Sequence, residues 1–342
     1  KDVFLKLNLK EQSVKINTKN AKIYIDKEYI NLSNIDINIS VIEYLKKENA
    51  INNIKIKTSR TKIKEVTNFL NLYKFNLPLI IFYNQIKKGD IEADINLTFN
   101  QDQKKKYSLD INGKIIDAEL NILNKFKINK INLDFDIIQN RYNLKNIKFI
   151  NEGLDFYSKN ILILKKEKIY EINGELNNNK GSLNLNYFSE LLKYNFNFID
   201  NKNFIAETKN EFSFKINSEK KIEILKINSI LNYDKLFLNE EFHNLIFLKN
   251  GSIKLDYVDN KLELNIDSAY SYLNENYNNN DTDNIKINIV KQKNNVFKVK
   301  SNINNENNII NTKELSNYFK INNKIIEDQN FVFGSKNQIS FN

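Results

Sequence analysis

The chain of 342 residues has no cysteine, no methionine, no tryptophan, one histidine and one proline. Without cysteine, disulfide frameworks, thiol catalysis, zinc fingers and iron–sulfur clusters are excluded. The single histidine, His243, follows Glu240 and Glu241 at a spacing that suits no familiar set of metal ligands. Glycine-rich phosphate loops and nucleophile elbows are also missing. We therefore expect no catalytic residue, no metal site and no bound cofactor, and we do not expect an enzyme.

Long apolar segments are missing too. No run approaches the ~20 residues that a membrane-spanning helix needs, and the longest uncharged run covers residues 75–86. Lys6, Lys10 and Glu11 interrupt any signal-peptide core. Because the chain opens with Lys1 and contains no methionine, we expect it to be an excerpt of a longer protein whose anchor lies outside this sequence.

The net charge of +10 invites a nucleic-acid partner, but only Arg60 and Arg141 among the 52 basic residues are arginine. Arginine is the preferred residue for bidentate contacts to phosphate and guanine. Lysine, asparagine and isoleucine dominate the sequence, which is typical of an AT-rich genome. The one dense cluster, at residues 104–106, falls in a polar tract that predicts a hairpin loop. We therefore interpret the lysines as a solvated surface and predict no nucleic-acid partner.

Alternation of apolar and polar residues is the dominant pattern, and it predicts strands with one apolar face and one wet face. It is clearest at residues 91–99, which read IEADINLTF. The apolar residues of such strands are the predicted lining of an apolar surface: Ile91, Ala93, Ile95, Leu97, Phe99, Leu109, Ile111, Ile131, Leu133, Phe135, Ile137, Phe212, Phe214, Ile216, Leu255, Leu264, Ile266 and Ile287.

Helical periodicity is confined to short segments. It predicts helices over residues 40–49, with Ser40 as N-cap, over 61–74 and over 77–87, and shorter ones over 189–194 and 312–320. Polar clusters at 177–181 and 276–284 predict turns, and Gly89, Gly113, Gly181 and Gly251 are interpreted as turn residues before strands. The composition changes softly near residue 88, which divides a strand–helix part (1–88) from nearly pure strand (89–342).

Many antiparallel strands with one apolar face can pair into a sandwich, close into a barrel, or curl into a trough filled by another molecule. A sandwich of this length would be divided by recognisable linkers, and none is visible. We therefore predict an all-β fold with a few short helices near the N-terminus: an elongated, twisted antiparallel sheet curled into an open apolar groove. Such a groove needs no reactive side chains.

Particular segments also resemble the AsmA-like superfamily, which includes the YhdP and TamB proteins of Gram-negative envelopes. The resemblance lies in INLSNIDINI at 30–39, the short helix at 41–48, INNIKI at 51–56 and the helix at 62–72. KGDIEADINLTF at 88–99 and LDINGKIIDAEL at 109–120 are similar to the YhdP branch in particular.

The resemblance implies a periplasmic protein, anchored in the inner membrane, whose β-groove moves phospholipid towards the outer membrane. Phospholipid acyl chains and the two membranes would then be its partners. Three alternatives stay open from the residues alone: an outer-membrane β-barrel, a β-rich surface adhesin or interaction module with a self-filled core, and a carbohydrate-active enzyme using paired carboxylates.

Overall fold

The computed structural model describes residues 2–25, 28–46, 50–73, 84–99, 107–122, 126–167, 169–183, 205–217, 219, 222–237, 246–259, 261–272, 283–291, 297–311 and 330–341. Strands account for 85% of these residues and helices for 6%. The predicted all-β class, with short helices near the N-terminus, is confirmed.

The chain divides into two compact units, Lys1–Glu175 with Ile216–Lys221 and Leu176–Lys215 with Ile222–Asn342. The elements of the first unit are β1 (Val3–Asn8), β2 (Ser13–Ile25), β3 (Glu28–Ser40), α1 (Val41–Leu45), β4 (Ile51–Thr58), β5 (Thr61–Lys62), α2 (Ile63–Tyr73), β6 (Ile86–Phe99), β7 (Tyr107–Ile122), β8 (Phe126–Ile138), β9 (Arg141–Asn151), β10 (Leu154–Lys166) and the first half of β11 (Ile169–Ser182). The second unit continues with the rest of β11, then β12 (Ile205–Ile216), β13 (Ile222–Phe237), β14 (Ile246–Val258), β15 (Lys261–Tyr272), β16 (Asn284–Lys291), β17 (Phe297–Asn311) and β18 (Asn330–Phe341).

Strands of the first unit pair antiparallel with their neighbours along the chain, from β1–β2 to β9–β10. Two steps are not simple hairpins: α1 lies between β3 and β4, and β5 and α2 lie on the connection from β4 to β6. In the second unit, β13 to β18 pair antiparallel in the same sequential way. The antiparallel sheet is not closed, as predicted.

The first two predicted helices are confirmed. The hydroxyl of Ser40 caps α1 by accepting a hydrogen bond from the Glu43 amide at 3.4 Å. The predicted helix at 77–87 is wrong at its end, because Ile86 and Lys87 open strand β6. Ile86 is 1% exposed in a core cluster and opposite Leu120 of β7, so burial and strand pairing outweigh the local helical pattern. Residues 77–83, 189–194 and 312–320, the lysines at 104–106 and His243 lie outside the described residues.

The turn interpretation of the four glycines is wrong, because all of them lie inside strands, Gly89 in β6 and Gly181 in β11. Gly113 and Gly251 lie inside β7 and β14, each directly opposite an aromatic residue, Phe135 and Tyr233 respectively. Each ring covers its glycine so closely that a methyl group there would overlap it. Glycine in a strand interior often marks such a close approach, and the opposed aromatic ring restores the burial that the glycine lacks.

The polar cluster at 177–181 is also strand, not turn, because these residues continue β11. Of the other predicted turn, residues 276–282 lie outside the described residues, and Asn284 begins β16.

Two small buried clusters lie where α2 packs on the sheet. One consists of Ile63, Ile86, Ala118 and Ile131, and the other of Ala21, Ile30 and Leu32. Helix α2 contacts β2, β3, β5 and β6, and its Val66 and Phe69 pack against the second cluster. The helix therefore covers the sheet at the end of the strands where β4 finishes and β6 begins.

Candidate functional site

One face of the first unit is apolar along rows of directly opposed residues, with Thr18 as a polar member of the longest row. The longest row crosses nine strands from β1 to β10. Its members are Val3, Thr18, Ile35, Ile56, Ile95, Ile111, Ile137, Tyr142 and Ile163. Because side chains alternate along each strand, neighbouring rows two residues away share this face. We call this surface the apolar face of the first unit.

Three further rows belong to the same face. The first contains Leu5, Ile16, Ile37, Ile54, Leu97 and Leu109. The second contains Ala93, Gly113, Phe135, Leu144 and Ile161, and the third Ile91, Ile115 and Leu133. Cross-strand pairs of aliphatic and aromatic side chains stabilise a sheet. A shift of the register by one residue would move these side chains to the opposite face, so the observed register determines which face is apolar.

The opposite face, here called the polar face, carries paired charges. Lys57 lies 3.8 Å from Asp94, and Lys114 lies 3.2 Å from Glu92, each pair on adjacent strands. Lys145 pairs with Asp136 in the same way. A hollow of about 390 Å³ on this face has a charged lining made of Lys57, Glu92, Asp94, Lys114, Asp134 and Asp136. Four carboxylates and two lysines line the hollow, so its lining is acidic, although Lys57 and Lys114 each pair with one of the carboxylates.

All eighteen residues predicted to line an apolar surface lie on strands. Ile131 and Phe135 are buried, each 8% exposed, and the other sixteen are half-buried. Helix α2 covers part of this surface, because Ile91 and Leu133 pack against the cluster that contains Ile63 of the helix. The eleven predicted residues from Ile91 to Ile137 come together on one continuous surface of the first unit.

The second unit repeats the pattern over fewer strands. One row contains Leu255, Leu264, Ile289 and Val299, and the next Leu231, Ile253, Ile266 and Ile287. Beyond Ile287 this row continues with Ser301 on β17, which lies between Val299 and Ile303 on the same face. We call these rows the apolar face of the second unit.

A hydrogen-bonded polar belt crosses this face. It consists of Asn178, Thr208, Asn210 and Ser229 on β11, β12 and β13. The Thr208 hydroxyl bonds to Asn178 Oδ1 at 2.5 Å, and Asn210 donates to Thr208 Oγ1 at 2.8 Å. Ser229 donates to Asn210 Oδ1 at 2.5 Å and is directly opposite Leu255 of the apolar face. Phe212 and Phe214 follow Asn210 at two-residue intervals, so they share its face, and their rings are 5.9 Å apart.

Tyr233 is buried on the same strand as Ser229 of this belt, four residues further along. The side chain is 3% exposed and lies across Gly251, next to the hydroxyl of Ser268. Burial raises the pKa of this phenol above the ordinary value of 10.0, since the charged form would lose its hydration. The phenol therefore stays neutral at physiological pH.

Sequence reasoning missed the contribution of the first four strands to the apolar face. Leu5, Ile16, Ile37 and Ile54 were assigned to a strand–helix part and not to the lining. Their signal is the same alternation, visible as Ile35, Ile37 and Ile39 in β3. Only the register shows that these residues continue the rows of β6 and β7.

Among the described ranges, no group of three or more histidine, aspartate or glutamate residues is placed to hold a metal ion. Within that same part of the chain, no helix has the length and apolar character to cross a membrane.

The chain matches no family model, no curated protein and no solved structure. The likeness to the AsmA-like superfamily therefore stays a prediction that rests on the residues quoted for it. What is established is the geometry: sheets that are apolar along rows on one face and charge-paired on the other.

Proposed function

We propose that this protein is a non-enzymatic lipid carrier whose apolar face binds the acyl chains of phospholipid in transit between membranes. The observation that carries the proposal is the row of nine residues from Val3 to Ile163, together with its neighbouring rows. We also propose that the protein acts in the cell envelope, because that is where phospholipid moves between membranes. As the resemblance implies, we place the protein in the periplasm, with its inner-membrane anchor outside this sequence.

The dimensions of the first unit fit an acyl chain. Nine strands make eight spacings of ~4.8 Å, or ~38 Å along the row. The hydrocarbon core of a bilayer is ~30 Å thick, so one leaflet contributes ~15 Å of acyl chain. A whole acyl chain can therefore lie along the row without reaching its end.

The energetics favour such an occupant. Each methylene removed from water contributes about 0.8 kcal/mol, whichever apolar side chain it contacts. The half-buried state of Ile95, Leu97 and Ile111 leaves apolar area on which an acyl chain gains this energy. Because the contacts are non-directional, the chain can slide from strand to strand without breaking any specific bond.

The polar belt of the second unit is compatible with apolar cargo. Asn210 donates to the Leu176 carbonyl at 2.6 Å and to Thr208 Oγ1, and its own oxygen accepts from Ser229. A polar group whose hydrogen bonds are made within the protein loses little when a hydrocarbon covers it. The belt can thus be crossed without trapping an unpaired donor under the lipid.

Native mass spectrometry of the gently purified protein tests the proposal directly. We expect mass increments that match phospholipids, and their identity by tandem fragmentation. A photo-crosslinking residue at Leu97 should attach to lipid, whereas the same residue at Asp94 on the polar face should not. If no lipid is bound and Leu97 gives no adduct, an interaction module with a self-filled core is the better description.

A matched pair of substitutions tests the role of the face. Ile95→Asp places a carboxylate between Ile56 and Ile111, in the middle of the longest row. A hydrocarbon covering it would have to strip water from a charge, so we expect transfer between vesicles to fall at least tenfold while strand content is kept. Asp94→Asn, one residue away on the polar face, should leave transfer within twofold. Equal effects from the two changes would contradict the proposal.

A further inference from the structure

A line of bulges divides the apolar face of the first unit. Gly89, Asp117, Lys130 and Asn146 lie inside the neighbouring strands β6, β7, β8 and β9, with positive φ angles of 135°, 47°, 50° and 52° respectively. The register of the β6–β7, β7–β8 and β8–β9 pairs shifts beside these residues. A bulge adds one residue to a strand and bends it. We call this feature the bulge line.

The apolar face continues across the bulge line. Ile115 and Ala118 lie on the two sides of the bulge in β7, and Ile131 and Ile128 on the two sides of the bulge in β8. In each pair the residues are three positions apart, not two, yet all four belong to one apolar cluster or pack against it. The extra residue of each bulge therefore offsets the alternation by one and keeps the apolar side chains on the same face.

Burial differs on the two sides of the bulge line. The two rows that contain Ile95 and Leu97 lie on one side, and both of these side chains are half-buried. On the other side Ile86 and Ala118 are 1% and 3% exposed. We call the two rows the open strip, and the area around Ile86 and Ala118 the covered part of the face.

Helix α2 covers that part. Its first residue, Ile63, is 5% exposed and belongs to the same buried cluster as Ile86 and Ala118. Gly89 lies directly beneath this contact. A Cβ atom on Gly89 would be 2.6 Å from Cβ of Ala118 and 2.9 Å from Cδ1 of Ile63, so only glycine lets helix and strands approach this closely.

Val66 and Phe69 form the side of α2 that is next to the open strip. Both are half-buried, and both pack against the cluster that contains Leu32. Ile35 and Ile56, which belong to the longest row, pack against the same cluster. The longest row therefore passes alongside the helix where it crosses β3 and β4.

We infer that α2 is a side wall of the lipid path. An acyl chain on the open strip contacts Val66 and Phe69 where it crosses β3 and β4, and it does not enter the covered part of the face. The inference rests on the proposed function and deepens it, because it assigns lipid contacts to a helix and excludes lipid from part of the apolar face.

The burial of apolar area explains the exclusion. Ile95 and Leu97 are half-buried, so an acyl chain that covers them removes apolar area from water. At Ile86 and Ala118 that area is already covered. A chain that displaced α2 there would expose Ile63 again, so one apolar contact would replace another without a gain in burial.

A phospholipid with a diazirine in one acyl chain tests the wall in the full native chain. After binding and irradiation, fragmentation of the labelled peptides in a mass spectrometer locates the adducts. We expect adducts at Leu97 and Phe69, and at least tenfold fewer at Ala118 and at Glu65, an exposed residue of α2.

Each other result decides against the wall. Equal labelling of Leu97 and Ala118 would overturn the inference and leave lipid binding intact, as would labelling of Leu97 without any at Val66 or Phe69. The absence of adducts from the whole chain would refute the proposed function and the inference together.

Gly89→Ala and Gly153→Ala are a matched pair of variants. Both glycines have a positive φ, 135° and 79°, so both changes strain the backbone. Gly153 has no atom within 4 Å of its Cβ position, whereas alanine at 89 would force Ala118 or Ile63 to move.

We expect Gly89→Ala to raise labelling of Ala118 at least fivefold while circular dichroism shows that strand content is kept. Gly153→Ala should keep the labelling pattern of the parent chain. The same pattern in both variants would overturn the inference. The map of the parent chain needs neither variant, so it decides the question even if Gly89→Ala does not fold.

Discussion

Replacing Gly113 by alanine tests the close approach of strands on the apolar face. A Cβ atom there would lie 2.3 Å from the carbonyl oxygen of Glu92, 2.7 Å from Cζ of Phe135 and 3.0 Å from Cα of Ala93. Two of these obstacles are backbone atoms of β6, and they can move only if the β6–β7 pairing loosens. Overpacking of this kind costs about 1–3 kcal/mol, and the lower entropy of the unfolded alanine chain returns about 0.4–1 kcal/mol. We expect a net loss of about 1–2 kcal/mol.

Gly251→Ala supplies the matched comparison. The nearest atoms there are Cζ and Oη of Tyr233, both at 2.3 Å, and Oγ of Ser268 at 2.6 Å. These are side-chain ends, so the ring can swing away without separating two strands. We therefore expect a smaller loss of stability than for Gly113→Ala. The displaced Tyr233 should also become hydrated, and its raised pKa should return toward 10.0.

Urea unfolding followed by circular dichroism measures the loss of stability in both variants. Absorbance titration of tyrosinate measures the pKa of Tyr233. A raised phenol pKa stabilises the fold below pH ~10 and loses this contribution as pH rises through the folded value. The parent protein should therefore lose stability in alkali over a range in which Gly251→Ala changes less. If Gly113→Ala is neutral, or costs less than Gly251→Ala, the reasoning from backbone obstacles is refuted.

Two further substitutions probe polar groups. Lys62 donates to Asp90 at 2.6 Å and, with Arg60, lowers the pKa of this carboxyl below 3.8. The ion pairs therefore stabilise the fold above pH 3.8, and this stabilisation is lost as pH falls through the folded pKa. The urea midpoints of the parent and of Asp90→Asn should differ at pH 7 and converge in acid, and a difference that stays constant would contradict this. Asn210→Ala removes bonds to the Leu176 carbonyl and to Thr208, and leaves Ser229 without its acceptor. We expect a loss of about 1–3 kcal/mol in thermal unfolding, and an unchanged midpoint would show that the belt contributes nothing.

The sequence was informative wherever period-two alternation alone decides the outcome. In β6, Ile91, Ile95 and Leu97 were assigned to one face because alternation fixes the face of a strand without knowledge of its partners. Capping chemistry did the same for α1, since Ser40 offers the side-chain oxygen that a helix start needs.

Features that depend on the partner strand could not be predicted. Gly113 was interpreted as a turn residue because nothing in the sequence places Phe135 opposite it. Asn177 and Asn178 were interpreted as a turn because asparagine is common there. Here Asn178 accepts a hydrogen bond from Thr208, a residue thirty positions later. Which strands continue the apolar rows depends on register, and register is a tertiary property.

The sequential pairing of strands has a consequence for how such a protein can change in length. Each hairpin of the first unit borders only its predecessor and successor, as in β6, β7 and β8. Duplicating or deleting one whole hairpin would preserve strand polarity and side-chain orientation on both flanks. The length of the apolar face, and with it the path of the lipid cargo that we propose, would then change by about 10 Å per hairpin without redesign of any other segment.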